Sequence, residues 1–169
     1  MEGDKYFMTL ACVTAKRSDD PVTKVGACIV NENGIIVGVG YNDMPAGCDN
    51  WAKSTGALEH KKNYVCHAEF NAYINKTCAD VKNCKIYVTL FPCNECAKII
   101  IKSGIQEVIY LSDKRCDKLY TQISKIMLKR ANVTYRQLLL LENMEINFAE
   151  FLRDEAQCKK RKHFSVENM

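Results

Sequence analysis

Two cysteines, Cys93 and Cys96, stand three residues apart, directly after Pro92 and ahead of an aliphatic run. Proline favours the first turn of a helix, and Gly104 predicts the end of the same helix. Cysteines at this spacing project from one face of a helix, whose dipole and unpaired N–H groups favour the thiolate form. The pattern suits a metal site, although buried core thiols and a C-x-x-C redox pair are alternatives.

A histidine and a glutamate in the segment CHAEF complete a candidate zinc site. His67 with the thiolates of Cys93 and Cys96 provides three protein ligands, which leaves the fourth position to water as in catalytic zinc sites. Glu69 can take a proton from that water and return it to a leaving group. His67 and Glu69 converge only in the first turn of a helix, because residues two apart on a regular helix diverge. Alone, Glu69 is equally typical of a favourable charge in a first turn.

The surrounding sequence predicts the helices and strands that position these residues. Apolar spacing predicts helices at about 5–17, capped by Asp4, and at 67–76, 93–103, 118–130 and 147–160. Branched runs predict strands at 25–30 and 35–41, joined as a hairpin by NENG, and at 85–90, 107–111 and 133–138. This alternation predicts an α/β fold with right-handed crossovers, a mixed sheet and an antiparallel hairpin at one side. The polar segment 42–63 is typical of a functional or mobile loop.

Length and composition predict one ordinary globular domain over residues 1–169. Hydrophobic residues make up 47% and charged residues 26% of the chain. The start of the chain has no signal-peptide pattern, and no apolar run approaches the roughly 20 residues that span a bilayer. We therefore expect a cytoplasmic protein whose ten cysteines are thiols or metal ligands rather than disulfides.

Much of the net charge of +4 comes from KKRKH at 159–163. A basic cluster this short is a weak indication of nucleic-acid binding, and it is also typical of a localisation signal, a phosphate patch or a solvated tail. We expect residues 159–169 to form a flexible C-terminal tail.

Five segments carry a resemblance to a known family. They read DPVTKVGACIV, GYNDMPAGC, YVCHAEFNAYIN, LFPCNECAKIII and GIQEVIYLSDK. H-x-E followed by P-C-x-x-C is the signature of zinc nucleobase deaminases, and together the segments resemble the deoxycytidylate (dCMP) deaminase family. The resemblance implies a three-layer α/β/α cytidine-deaminase-like fold with a mixed central sheet of about five strands. It also implies hydrolysis of dCMP to dUMP and ammonia, which supplies dUMP for thymidylate synthesis.

The same resemblance implies roles for individual residues and a state of assembly. His67, Cys93 and Cys96 would bind one catalytic Zn²⁺ per subunit, and Glu69 would be the proton shuttle. The subunits would form a cytoplasmic homo-oligomer, usually a hexamer.

Substrate contacts also follow from the resemblance. Backbone groups around Ala27 and Ala68 would bind the pyrimidine edge, and Asn42 would reach the sugar. Lys114 and Arg115, just past a strand, are candidates for the phosphate. From residue types alone, Asn42 is equally typical of a residue that caps its own backbone, and the two cations are equally typical of a solvated loop.

Two features depart from the family pattern. The family's effector loop, where dCTP with Mg²⁺ activates and dTTP inhibits, usually reads GYNG, whereas Gly40, Tyr41 and Asn42 are followed here by Asp43. Asp43 either alters a triphosphate site or simply tolerates the turn geometry. Family members often place a tyrosine close after the fourth strand, whereas Tyr120 comes several residues later. If Tyr120 does not reach back, the substrate pocket lacks that aromatic wall.

Two rival functions remain. A nucleic-acid base deaminase, acting on tRNA or single-stranded DNA, needs a basic groove with stacking aromatics, and only KKRKH supports it. A catalytically silent regulatory module has no need of Glu69 beside three ligands. A second, structural zinc site would draw on Cys48, Cys66, Cys78 and His60, but these spacings match no standard pattern, so we expect buried thiols there.

Overall fold

One mixed sheet forms the centre of the part of the chain that the structure describes. Its strands are β1 (Gly26–Val30), β2 (Ile36–Tyr41), β3 (Lys85–Leu90), β4 (Glu107–Ser112) and β5 (Thr134–Gln137). They lie in the order β2-β1-β3-β4-β5, in which β1 is antiparallel to both neighbours and β3, β4 and β5 are parallel. The predicted mixed sheet with an antiparallel hairpin at one side is therefore confirmed.

This computed structural model describes residues 3–48 and 64–139. These residues belong to a unit that spans Met1–Leu139. The predicted helix at 147–160, the tail at 159–169 and His60 lie outside the described residues, so those expectations and the single domain stay predictions. None of the described helices combines the length and apolar character needed to cross a bilayer.

Helices cover both faces of the sheet. They are α1 (Gly3–Ala15), α2 (Ala68–Ile74), α3 (Asn94–Ser103) and α4 (Leu119–Arg130). A Cβ added to Gly26 would lie 2.0 Å from the backbone oxygen of Ala11 in α1, and one added to Gly40 would lie 2.2 Å from the backbone nitrogen of Ala72 in α2. Gly40 pairs with Ala27, the neighbour of Gly26. Because adjacent strand residues face opposite sides, α1 and α2 pack on opposite faces. The three-layer α/β/α arrangement is confirmed.

The main hydrophobic core lies on the α2 side of the sheet. Strand residues such as Ile86, Val88 and Val108 meet Ile100 of α3 and Leu128 of α4, and all five are fully buried. At about 25 cal/mol for each Å² of apolar surface removed from water, this layer is the main stabilising contribution that holds α2, α3 and α4 in place.

One predicted helix cap is wrong. Asp4 lies inside the first turn of α1, which begins at Gly3. Its carboxylate accepts hydrogen bonds from the Tyr87 hydroxyl at 2.7 Å and from Arg136 Nη2 at 2.6 Å. The side chain is therefore directed to a phenol and a cation from the sheet rather than to the helix's own N–H groups.

The predicted helix starts shift by one residue at the two places that matter for chemistry. His67 and Cys93 are the N-caps of α2 and α3, with extended backbone, rather than the first helical residues. At the other end of α3, Gly104 has a left-handed φ of 79° and ends the helix as predicted. Both N-caps lie near the carboxyl end of β3, the side of an α/β sheet on which ligands bind.

Candidate active site

The starts of two helices bring the three predicted ligands together. His67 Nδ1 lies 3.3 Å from Cys96 Sγ and 3.4 Å from Cys93 Sγ. The three donor atoms all lie within 4.8 Å of one another. Within residues 3–48 and 64–139, this is the only such group of three histidine, cysteine or acidic side chains.

The geometry of this group fits a tetrahedral zinc ion. Zn–N and Zn–S bonds of about 2.0 and 2.3 Å at a tetrahedral angle separate nitrogen from sulfur by about 3.6 Å. The observed His67–Cys96 and His67–Cys93 separations of 3.3 and 3.4 Å are close to that value. One imidazole and two thiols are also the donor types that zinc prefers, and three of them leave one position for water.

The protonation of the cluster favours metal binding at Cys93. Hydrogen bonds from the Cys96 thiol and from His67 lower the pKa of Cys93 to about 4. The hydrogen bond to Cys93 in turn raises the pKa of His67 to about 9. The hydrogen bond to Cys93, together with burial, raises the pKa of Cys96. Cys93 is therefore already a thiolate at neutral pH, and a metal would displace protons from His67 and Cys96.

Glu69 lies in the first turn of α2, directly after the His67 cap and the intervening Ala68. Its side chain is 5% exposed. Burial raises the pKa of Glu69, while the positive charge of His67 acts in the opposite direction. A buried carboxyl group with a raised pKa beside a metal site is a candidate general acid and base.

A cleft with a volume of about 700 Å³ opens over His67 and Glu69. Its apolar wall includes the side chains of Val22, Val25, Val65, Leu90 and Phe91. Phe91 packs edge-on against Tyr110 and Tyr135, with ring centroids 4.8 and 5.5 Å away, so its ring is held in one orientation.

Asn42 lines the cleft but uses its amide to organise the backbone. Its Oδ1 accepts the Val25 N–H at 2.7 Å, and its Nδ2 donates to the Thr23 carbonyl at 3.0 Å and to Asp20 Oδ2 at 3.5 Å. Asp20 Oδ1 also accepts the Thr23 N–H at 3.1 Å. Asn42 therefore shapes the segment 18–25, the backbone-capping alternative that the residue type leaves open.

Within the described part of the chain two cations reach the cleft, and Lys114 is not one of them. Arg115 and Lys118 line it, whereas Lys114 is exposed and lies outside its walls. Arg115 Nη2 donates to Thr23 Oγ1 at 3.2 Å, which joins the turn after β4 to the segment 18–25. The charge of Arg115 acts to lower the pKa of His67, so the guanidinium lies within electrostatic reach of the metal ligands.

Aromatic side chains reach the cleft despite the departure from the family pattern. Tyr120, in the first turn of α4, lines it together with Phe91. The chain turns back between β4 and α4 through hydrogen bonds from Cys116 N–H to Asp113 O and from Lys118 N–H to Arg115 O, both 3.0 Å. Tyr120 therefore reaches back although it follows the strand by several residues.

Of the two alanines predicted to contact the pyrimidine, one lines the cleft and the other does not. Ala68 lines the cleft, but Ala27 is fully buried and is not part of its wall. Ala27 lies between Gly40 and Val88 in the sheet, so its backbone belongs to the strand ladder. Val25, two residues earlier, is the member of this segment that reaches the cleft.

The GYND loop contacts α2. Asn71 Nδ2 donates to the Tyr41 carbonyl at 2.8 Å and to Asp43 Oδ1 at 2.7 Å. Asp43 also exchanges two backbone hydrogen bonds with Cys66, at 2.9 and 3.2 Å. The loop is thereby tied to the residue that precedes His67. Gly40 lies against α2, where a side chain would collide with the helix backbone.

Several of the described cleft residues were not predicted from the sequence, among them Thr23, Phe91 and Lys118. An aromatic residue directly before P-C-x-x-C is a signal that could have found Phe91, since it must lie next to a metal ligand. Thr23 and Lys118 carry no local signal, because only the fold brings residue 23 beside residue 115.

Comparisons with known proteins agree with this geometry. The model of the family described as the cytidine and deoxycytidylate deaminase zinc-binding region matches residues 1–112. The deoxycytidylate deaminase of Mus musculus is 51% identical over 142 residues, which cover 81% of this chain and 80% of that protein. The Homo sapiens deoxycytidylate deaminase is 49% identical over the same shares.

A solved structure extends the comparison to the fold. The dCMP deaminase from the cyanophage S-TIM5, in complex with dCMP and dUMP, is 27% identical with a TM-score of 0.64, and the match covers 79% of this chain and 95% of that one. The chain thus belongs to the cytidine and deoxycytidylate deaminase family.

Proposed function

We propose that this protein is a zinc-dependent enzyme that hydrolyses dCMP to dUMP and ammonia. The observation that carries the proposal is the convergence of His67, Cys93 and Cys96 with the buried Glu69 on one cleft. The deoxycytidylate deaminases of mouse and human, and the phage enzyme solved with dCMP and dUMP, support the choice of substrate.

In the proposed reaction His67, Cys93 and Cys96 hold the zinc ion, which supplies a water molecule of lowered pKa as the nucleophile for C4 of the cytosine ring. Glu69 would accept one proton of that water and pass it to N3 of the ring, and it would then pass the remaining hydroxyl proton to the amino group, which leaves as ammonia while C4 becomes the carbonyl of dUMP. Burial suits Glu69 to this role, because it raises the pKa of the carboxyl group and so makes the carboxylate a stronger base for the proton that it takes up. The apolar wall at Leu90 and Phe91 excludes bulk water.

The remaining cleft residues bind different parts of the nucleotide. Phe91 and Tyr120 provide aromatic surface for the base, and the Ala68 backbone faces the pyrimidine edge. Arg115 and Lys118 bind the 5′-phosphate, in place of the exposed Lys114. A guanidinium suits this role because its planar N–H groups match phosphate oxygens in a bidentate contact.

The wider biological role is part of the proposal. We infer that the enzyme works in the cytoplasm, supplies dUMP for thymidylate synthesis and forms a homo-oligomer, with a hexamer as the expected state. We also infer activation by dCTP with Mg²⁺ and inhibition by dTTP at the GYND loop. Titration of both triphosphates during turnover tests the regulation, and light scattering on the purified protein tests the assembly; no response to either triphosphate would contradict the effector site.

The central experiment measures ammonia release from dCMP, deoxycytidine, CMP and a cytosine-containing oligonucleotide, with the zinc content determined on the same sample. We expect turnover of dCMP above the others and about one zinc ion per chain. Activity confined to the oligonucleotide would overturn the proposal in favour of a nucleic-acid base deaminase. Silence on all four substrates with zinc bound would indicate the regulatory module.

A further inference from the structure

The turn that carries Arg115 begins at an ion pair whose two side chains do not line the cleft. Asp113 directly follows β4, and its Oδ2 lies 2.5 Å from Nζ of Lys125, in the second turn of α4. The two side chains are 17% and 30% exposed, so the pair is largely withdrawn from solvent. It ties the first residue of the turn to the helix that follows.

The Asp113 carboxylate depends on Lys125 to compensate its negative charge. Its second oxygen, Oδ1, is buried and receives no hydrogen bond from any residue in the described part of the chain. Removing the ammonium would leave a largely buried carboxylate uncompensated, which is costly enough to make the turn rearrange. An intact ion pair in such a place contributes little net stability, because desolvation offsets the attraction. Its clearest effect is therefore on geometry.

Two routes lead from this pair to the cleft. Along the chain, Asp113 accepts the Cys116 N–H through its backbone oxygen, and this turn places Arg115 over the cleft, where it donates to Thr23. Through space, the Lys125 ammonium lies 5.2 Å from the centre of the Phe91 ring. The first route would affect the phosphate end of a nucleotide, and the second would affect the base.

The contacts of Phe91 and Arg115 favour the first route, which runs along the chain to Arg115. Phe91 is already held by Tyr110 and Tyr135, so its orientation does not need Lys125. Arg115, in contrast, has among the described residues only the 3.2 Å hydrogen bond to Thr23 to hold its guanidinium. The position of its backbone therefore decides where its charge lies.

We propose that Asp113 and Lys125 are positioning residues, whose ion pair holds the turn so that Arg115 meets the 5′-phosphate of the substrate. This inference rests on the proposed function, because it assumes a nucleotide in the cleft. Neither side chain lines the cleft, so both act through Arg115.

The test replaces Lys125 by methionine, which keeps an unbranched stem without the charge. In Lys125→Met we expect KM for dCMP and Kd for dUMP to rise about five- to twentyfold, with kcat changed less than about twofold. Deoxycytidine and deoxyuridine have no phosphate, so the KM for deoxycytidine and the Kd for deoxyuridine should equal those of the unmodified protein. Lys125→Arg should restore the affinity for dUMP, and Lys129→Met, at an exposed position of the same helix, should behave like the unmodified protein.

A double-substitution cycle separates the two routes. If the pair acts through Arg115, Lys125→Met should add nothing to the effect of Arg115→Met on KM for dCMP. Additive effects, an equal loss for substrates with and without phosphate, or no change in KM would each overturn the inference. If Lys125→Met does not fold, Asp113→Asn provides the same comparison of dUMP with deoxyuridine while keeping the shape of the side chain.

The unmodified protein is measured first, which distinguishes the two proposals. Failure of that protein to turn over dCMP would overturn the proposed function and this inference together. Normal turnover with variants that treat both classes of substrate alike would overturn the inference alone.

Discussion

The candidate metal-ligand cluster and the cationic rim of the cleft are built in different ways. The cluster comes from two helix starts, where His67 and Cys93 are the N-caps and Cys96 lies in the first turn of α3. The rim comes from two irregular segments, 18–25 and 113–118, joined by the hydrogen bond between Arg115 and Thr23. In the proposed function, chemistry is thus placed on the helix starts, and substrate selection on turns that can vary without disturbing the metal.

The two regions also differ in how their charges are controlled. In the cluster, close contacts and burial set the protonation of each group, as the lowered pKa of Cys93 and the raised pKa of Glu69 illustrate. At the rim, Arg115 and Lys118 contribute positive charge, and the position of each side chain decides where that charge lies. Substitutions in the cluster should therefore affect kcat, and substitutions at the rim should affect KM.

The largest expected effect comes from Glu69→Gln. The substitution keeps the shape of the side chain but removes the group that moves protons, so kcat for dCMP should fall about 10²- to 10⁴-fold. Zinc content and the melting temperature should stay close to those of the unmodified protein. Glu32→Gln, in the exposed β1–β2 turn, is the matched control. Unchanged turnover in Glu69→Gln would remove Glu69 from the mechanism.

The next effect in size should come from the rim. Arg115→Met should raise KM for dCMP about 10- to 100-fold, the range for losing a charge-assisted contact to phosphate, and leave deoxycytidine unaffected. Lys114→Met is the control, because Lys114 is the neighbouring cation outside the cleft. A larger effect from Lys114→Met than from Arg115→Met would reverse the assignment drawn from the cleft.

A smaller effect is expected at Asn42, which shapes the rim without a free donor for the substrate. Asn42→Ala leaves the Val25 N–H without its partner, so the free energy of unfolding should fall by about 1–3 kcal/mol. KM for dCMP should rise only severalfold, because Thr23 loses its support. Chemical denaturation and steady-state kinetics measure the two quantities.

Asn31 provides the comparison for that experiment. Its Oδ1 accepts the N–H groups of Asn33 and Ile35 in the β1–β2 turn, which is a similar backbone role far from the cleft. Asn31→Ala should therefore lose stability without a change in KM. If Asn42→Ala lost affinity but no stability, Asn42 would be a substrate contact instead.

The smallest effect should come from Arg136, which lies outside both regions. Arg136→Gln removes ion pairs to Asp4 and Glu107. Since the Arg136 side chain is 42% exposed, solvent screening limits the decrease in the free energy of unfolding to about 0.5 kcal/mol. Activity should be unchanged. The control is Lys98→Gln, whose pair with Glu95 is more exposed and should contribute less.

The stability difference at Arg136 should depend on pH. Burial tends to raise the pKa values of Asp4 and Glu107, but hydrogen bonds from groups that include Arg136 outweigh it and lower both values. A carboxyl group with a lowered pKa stabilises the fold above its unfolded pKa of about 4, and this contribution disappears as pH falls through the folded value. The difference in the free energy of unfolding between the unmodified protein and Arg136→Gln should be complete at neutral pH and shrink below about pH 4. A difference that grew on acidification would contradict this account.

The sheet and the cluster could be predicted because their signals are local. β-Branched runs, NENG and Gly104 mark strands, a hairpin and a helix end within a few residues. The cap at Asp4 could not be predicted, because the carboxylate is directed to Tyr87 and Arg136, groups more than 80 positions away in the chain. Local propensity has no information about such partners.

The sequence by itself determined the candidate ligands, their helix starts and the family, since H-x-E and P-C-x-x-C are short patterns in which neighbours along the chain specify both backbone and chemistry. Only the tertiary structure decided that Arg115 rather than Lys114 lines the cleft and that Tyr120 reaches back to it. It also decided that the Asn42 amide is hydrogen-bonded to the backbone of Val25 and Thr23. The physical reason is that a turn can present either of two adjacent side chains to a cleft. Contacts with distant segments such as 18–25 select between them.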